Sequence, residues 1–254
     1  MAIIDKELFV LCEASPEVEV YDSMKFNICR RWHLRELAGS TDIASCNISK
    51  CLYTIEDSMG ILRVDPNGKL INKWSTGSRV GCEARLSVTG EANVLLIDST
   101  EHKLSEYSPD GTLIQEINLL SHAGIRHPLH AIKLTNSHFI ISHDNYGDLH
   151  RVCTVDADGK LKKSFGGKPG STIGQMHFPI DFSVDGNASV MVLDHGNKRV
   201  LLLDSDLEVK REIVTKGHRL QQPWKILLDE SNGQLFVVDR EWDNQCILVF
   251  DLNN

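Results

Sequence analysis

Long hydrophobic runs are missing from this chain. No apolar stretch approaches the roughly 18 residues that a membrane-spanning helix needs, which excludes that class. Aromatic residues are sparse, 6% of 254, so a broad stacking platform for single-stranded nucleic acid is poorly supplied. Basic residues are outnumbered, 27 against 35 acidic, and the net charge of -8 repels polyanions. Nucleic-acid binding would therefore have to come from one local surface. The seven cysteines are an odd number, and their spacings match no zinc or disulfide framework. They are expected to be reduced, mostly buried thiols acting as small hydrophobes, which favours a cytoplasmic protein. Met1 to Glu7 has no basic leader before its apolar stretch and does not resemble a secretory signal. A Ser-nucleophile motif and a phosphate-cradling glycine loop are also missing.

What the chain does contain is one unit written six times. An apolar strand ends on Asp or Ser just before a turn at Asp22, Asp65, Ser108, Asp156, Asp204 and Asp251, at intervals of 43, 43, 48, 48 and 47 residues. That period fits propeller blades of four strands each, and no single unit is large enough to bury a core alone. Six units fill the chain, with approximate bounds 1–35, 36–78, 79–121, 122–170, 171–218 and 219–254. The predicted fold class is an all-β, six-bladed β-propeller in a single domain. At 41% apolar and 24% charged residues the composition is globular. A chain of this length buries roughly three quarters of its unfolded surface without needing metal or disulfides.

Within a unit the pattern is consistent. A short inner strand often follows proline, as in Pro128 to Ile132, Pro179 to Val184 and Pro223 to Leu228. The second strand is an almost unbroken apolar run, as in Val94 to Asp98 and Leu235 to Asp239, and such runs belong to strands buried on both faces. The third strand carries the register residue. It turns through Asn67-Gly68, Asp110-Gly111 and Asp158-Gly159, tight hairpin signals in which Gly and Asn tolerate positive φ. The fourth strand is usually charged, which suits an edge that must not pair with another chain. Cys29 to Leu37 can be drawn as a basic amphipathic helix, but its place after Asp22 predicts a fourth strand plus loop. The final unit runs out after its third strand, so it is expected either to lack an outer strand or to belong to a longer protein.

Pro179 to Asp204 places in order Pro179, an apolar strand, Asp185-Gly186-Asn187, Val190 to Asp194, His195-Gly196-Asn197-Lys198-Arg199, and Val200 to Asp204. This order resembles the NHL repeat, with Pro223 to Asp251 the next-best match. The resemblance implies a six-bladed propeller of the kind found at the C-terminus of tripartite-motif ubiquitin ligases, where it binds protein or RNA on one flat face. Nothing in the chain matches the upstream zinc ligands of such proteins, so it would be a recognition scaffold without a catalytic end.

Candidate partner-binding residues come from the long loops, because a rigid scaffold presents function there. They are Arg35, Arg79, His195, Asn197, Lys198, His218, Arg219, Arg240 and Trp242, with Lys216 and Arg199 nearby. Asp194 and Asn197 are expected to bind their own turn's backbone, and Arg199 to span to the next blade. Protein or peptide is the expected partner of a monomeric, non-catalytic binding module. Single-stranded RNA on the same face is the alternative. A metal-dependent hydrolase or lyase in the central channel is the other. Its residues would be Asp42, His130, Asp181 and Lys225, with Ala84 at the fifth such position. Calcium seeks six to eight oxygen ligands, which this set supplies poorly. Zinc would need imidazoles such as His130, His143 and His195, yet His143 aligns with Asp98, Asp194 and Asp239 while His195 lies one residue further along. No cofactor is implied.

Overall fold

A computed structural model describes residues 1–12, 15–56, 60–77, 84–135, 137–144, 149–218, 220–241 and 244–253. The fold is a six-bladed β-propeller, all-β as the repeat predicts. Its chain divides into two compact units, Met1–Asn118 and Leu119–Asn254, each holding three antiparallel sheets. In the first unit the sheets are β1 to β4 (Ala2–Ile4, Glu7–Leu11, Glu17–Asp22, Ile28–His33), β5 to β8 (Ile43–Cys46, Cys51–Glu56, Gly60–Val64, Leu70–Ser75) and β9 to β12 (Arg85–Val88, Val94–Asp98, Lys103–Tyr107, Leu113–Asn118). The second unit opens with the short helix α1 (Leu119–Ala123). Its sheets are β13 to β16 (Pro128–Lys133, Phe139–Asp144, His150–Val155, Leu161–Gly167), β17 to β20 (Pro179–Val184, Val190–Asp194, Arg199–Leu203, Val209–Val214) and β21 to β23 (Pro223–Asp229, Gln234–Glu241, Asn244–Asp251). Cys29 to Leu37 is strand β4 followed by a single 3-10 turn over Arg35–Leu37, not a helix.

Burial explains why the second strands carry unbroken apolar runs. All five residues of β10 and of β18 are buried, because successive sheets within a unit stack face to face. Phe9, Val18 and Val20 meet Leu52, Leu62 and Val64 between the first two sheets, and Ile140 and Val152 meet Phe182, Val190 and Val192 in the second unit. Fourth strands are more open: β8 alternates half-buried and exposed residues, and β4 and β16 hold no buried residue. Of the six described cysteines, Cys46, Cys51 and Cys153 are buried, Cys12 is half-buried, and Cys29 and Cys246 are exposed. The exposed pair departs from the expected burial because each lies on the last strand of its sheet. Burial pushes the Cys153 thiol up to about 12, which keeps it inert.

The register residue has a local cause. Oδ1 of Asp65 accepts the amides of Asn67 (2.9 Å) and Lys69 (2.8 Å), and Asp156 and Asp204 do the same for the residues two and four positions on. Each closes the turn between third and fourth strands as an Asx turn, which is why the position repeats. The turn glycine is then fixed by its neighbour: Gly111 has φ +94°, and an added Cβ would lie 2.5 Å from Cγ of Trp74, on the preceding sheet. Gly68 stands in the same relation to Trp32.

Gly111→Ala is therefore expected to cost about 3 kcal/mol, left-handed strain plus overpacking. Gly77→Ala, at φ +81° with nothing within 4 Å, should cost about 1 kcal/mol. Urea denaturation of the two variants checks this, and equal losses would show that the Trp74 contact contributes nothing.

Candidate functional site

In the second unit the loop between β16 and β17 is held down by one side-chain cluster. Asp194 ends β18 fully buried; its Oδ1 accepts the His177 amide (2.7 Å), and its Oδ2 accepts Nδ2 of Asn197 and Nε of Arg199, both at 2.8 Å. Burial pushes the Asp194 carboxyl up from its ordinary value, opposed by the bonds from Asn197, the His177 amide and Arg199. Arg199 is 5% exposed and donates further to Ser171 O (3.2 Å), Gln175 O (2.8 Å) and Glu212 Oε1 (2.8 Å). Asn197 also donates to Gly170 O at 2.8 Å. Two expectations are corrected here. Asp194 and Asn197 bind the 168–178 loop and each other rather than their own turn's backbone, and Arg199 reaches back to that loop rather than on to the next blade. Both follow from the position of β18's end beneath a long loop whose carbonyls need donors. A depression of about 310 Å³ lies beside the cluster, lined by Ser171, Asn197, Arg199, Glu212, Thr215 and Gly217. Ile173, at the loop's apex, is 88% exposed.

The predicted partner-binding residues divide by environment. His195 is half-buried, and its Nδ1 is 2.7 Å from Pro223 O. Lys198 is exposed in the left-handed region at φ 54°. Asn197 is buried, so it shapes the loop. His218 is exposed; its Nδ1 accepts the Thr215 amide (3.0 Å) and its ring lies edge-on to Phe250 at 5.4 Å. Lys216 opens the 3-10 turn that contains His218. Arg35 is exposed in the first unit. Arg79, Arg219 and Trp242 lie outside the described residues.

Two residues that the sequence reading passed over complete a ladder in the second unit. Phe178 stands 5.5 Å from His195, His195 stands 5.9 Å from Trp224, and the Arg240 guanidinium lies 5.0 Å over the Trp224 ring. All four are half-buried. Asp239 fixes the approach by accepting the amides of Gln221 (2.8 Å) and Gln222 (2.6 Å), while the Arg240 amide donates to Gln222 O. The available signal was an aromatic beside a strand-opening proline, Phe178-Pro179 and Pro223-Trp224.

The first-strand positions assigned to a channel site carry structural bonds. Oδ2 of Asp42 accepts the Leu86 amide and Oδ2 of Asp181 accepts the Ile226 amide, each at 2.9 Å. His130 Nδ1 lies 2.6 Å from Asp181 Oδ1, an electrostatic contact rather than an aligned hydrogen bond. Lys225 occupies the equivalent place on β21 and is half-buried. His143 replaces the strand-end aspartate of neighbouring sheets: His143 pairs with Arg151 as Asp194 pairs with Arg199. Nε of Arg151 donates to its Nε2. Among the described residues, no group of three or more His, Cys, Asp or Glu side chains is arranged to hold a metal ion.

No family model matches the chain, and no curated protein matches it. Solved structures do. A chain of a nidogen/laminin complex is 16% identical with a TM-score of 0.71, over 97% of this chain and 89% of that one. A virginiamycin B lyase from Staphylococcus aureus, catalytically inactive and bound to quinupristin, is 12% identical (TM-score 0.64; 92% and 73% covered). A gluconolactonase from Xanthomonas campestris is 16% identical (TM-score 0.65; 92% and 79% covered). At these identities the likeness establishes the fold, which hosts binding proteins and enzymes alike.

Burial, then the Arg151 and His150 charges, push the His143 imidazole down to about 3, against about 6.5 in an unfolded chain. Between those values the unfolded state binds the extra proton. The stabilisation is thus complete above pH ~6.5 and is lost as pH falls, at up to about 1.4 kcal/mol per unit. His143→Gln keeps an acceptor for Arg151 but does not titrate. Its stability between pH 6 and 4 should fall less steeply than wild type in urea titrations; parallel curves would contradict the assignment.

Proposed function

We propose that the chain is a non-catalytic binding module that engages a protein or peptide through the loops of its second unit. The observation that carries this reading is the Phe178–His195–Trp224–Arg240 ladder, half-exposed and held by backbone bonds. Interface hot spots are enriched in Trp, Tyr and Arg in pre-organised settings, where little entropy remains to be lost on binding. Lys198, His218 and the exposed Ile173 flank the ladder in sequence and add charge and apolar contact; Arg219 and Trp242 join this proposed set from their places in the sequence, while Arg35 and Arg79 are proposed as contacts of the first unit by itself. The resemblance of Pro179 to Asp204 to the NHL repeat supports the same reading, as does the nidogen/laminin likeness at the level of the fold. The Asp42 and Asp181 carboxylates each have an oxygen taken by a backbone amide, which weighs against the hydrolase or lyase alternative. RNA is disfavoured by the net charge of -8 and by the internal engagement of Arg199.

Selection from a random-peptide display library on the folded protein tests the proposal. Enriched peptides should bind at least about tenfold more weakly to Arg240→Glu and Lys198→Glu, each confirmed as folded by circular dichroism. Peptides indifferent to both changes would overturn it. So would tight, salt-dependent RNA retention in filter binding that Arg240→Ala and Arg219→Glu weaken.

A further inference from the structure

In the first unit two cysteines stand directly opposite each other. Cys46 ends β5, Cys51 opens β6, and the two are paired across the ladder, with residues 47–50 as the loop between them. Directly opposed residues of an antiparallel pair send their side chains to one face, with Cα atoms about 4.5–5.5 Å apart. Both thiols accordingly lie in the same buried cluster, with Tyr53 and Ile61. A disulfide needs Cα atoms about 4.4–6.8 Å apart. The pair can therefore be bridged without moving the backbone. Cys153 instead faces Ile141 and Ser164, and Cys246 faces Asp239.

Polar groups converge on the two sulfurs. Nε of Arg63, on β7, donates to Cys51 Sγ at 3.3 Å, and the Ser49 hydroxyl lies 3.1 Å from the same sulfur. The Ser49 amide donates to Cys46 Sγ at 3.5 Å. One serine of the connecting loop thus touches both sulfurs, and a guanidinium stands against one of them. The thiolate is the nucleophile in thiol oxidation, and an adjacent cation is the setting in which cysteines react. Both cysteines are buried, whereas all four residues of the loop are exposed, Ile48 at 69%. The pair is the last rung before that loop, so opening the hairpin end admits a small oxidant while the rest of the sheet stays paired.

We propose that Cys46 and Cys51 form a peroxide-sensitive dithiol that closes to an intramolecular disulfide and is reopened by small thiols. Cys51 Sγ, as thiolate, attacks one oxygen of hydrogen peroxide. The O–O bond breaks, Cys51 becomes a sulfenic acid, and the departing hydroxide leaves as water with the proton that Cys51 released. Cys46 Sγ then attacks the Cys51 sulfur, the S–O bond breaks, and the second hydroxide leaves as water with the Cys46 proton. The two thiols lose two electrons in all, and one peroxide gains them. Two molecules of a small thiol reverse the change by exchange, and are themselves joined as a disulfide. This site lies in the first unit and stands independently of the loop ladder in the second.

Trypsin supplies the test, because Lys50 separates the two cysteines. Residues 36–50 and 51–63 are two tryptic peptides with one cysteine each. The folded full chain, reduced and then freed of reductant, is treated with a few equivalents of hydrogen peroxide, alkylated in denaturant and digested without reduction. Mass spectrometry should find the two peptides as one linked species that dithiothreitol separates. Arg63→Gln should form the link at least about fivefold more slowly. Cys46→Ser should hold Cys51 as a sulfenic acid that dimedone captures. Unlinked peptides from the folded wild type, or a link that forms only in urea, would overturn the proposal whether or not the variants fold. An equal rate in an Arg63→Gln chain that circular dichroism shows to be folded would overturn the assignment of Cys51 as the attacking sulfur.

Discussion

Within each unit the structure depends on a buried aspartate at the first strand that accepts a backbone amide from the first strand of the following sheet. Asp42 does this for Leu86 and Asp181 for Ile226, across 44 and 45 residues, one repeat length in each case. A first strand at the end of its sheet leaves backbone amides on its open side, and a buried amide without an acceptor costs free energy comparable to a lost hydrogen bond. The carboxylate meets that need and fixes how far the next sheet slides along the stack. At 3% and 1% exposure the two aspartates have little access to water, so their oxygens depend on such donors for hydrogen bonds. Stacking then excludes solvent from both faces of the second strands, and the apolar runs follow from it.

Much of this was legible because it repeats. The turn residues mark the units since Asp65, Asp156 and Asp204 build the same Asx turn and Ser108 closes its turn through its hydroxyl, and the apolar second strands mark the stack. Less legible were interactions that bridge unlike segments. Arg199 binds carbonyls 24 and 28 residues away, and no periodicity points to a loop of irregular length. Trp224 reads only as part of a first strand, and the placement of His195 and Arg240 against it is what reveals the ladder. The exposure of Cys246, which lies in an apolar strand run, was not legible because strand propensity says nothing about which strand ends a sheet.

The same distinction governs function. A propeller fold is shared by the nidogen/laminin-complex, lyase and gluconolactonase structures that resemble this chain, so the side chains must decide. In the second unit they give a stapled loop and an aromatic ladder ending in a guanidinium. The proposed binding role rests on these two features, and buried polar contacts hold both in place.

The central claim is that the first-strand carboxylates lock successive sheets together. Native-state hydrogen exchange of the Leu86 and Ile226 amides measures it most directly. Both amides should be strongly protected in the wild type. Asp42→Ala should expose Leu86 and Asp181→Ala should expose Ile226, each selectively and with a loss of about 2–3 kcal/mol in stability. Protection unchanged by either substitution would mean that packing alone sets the stack and would contradict the account.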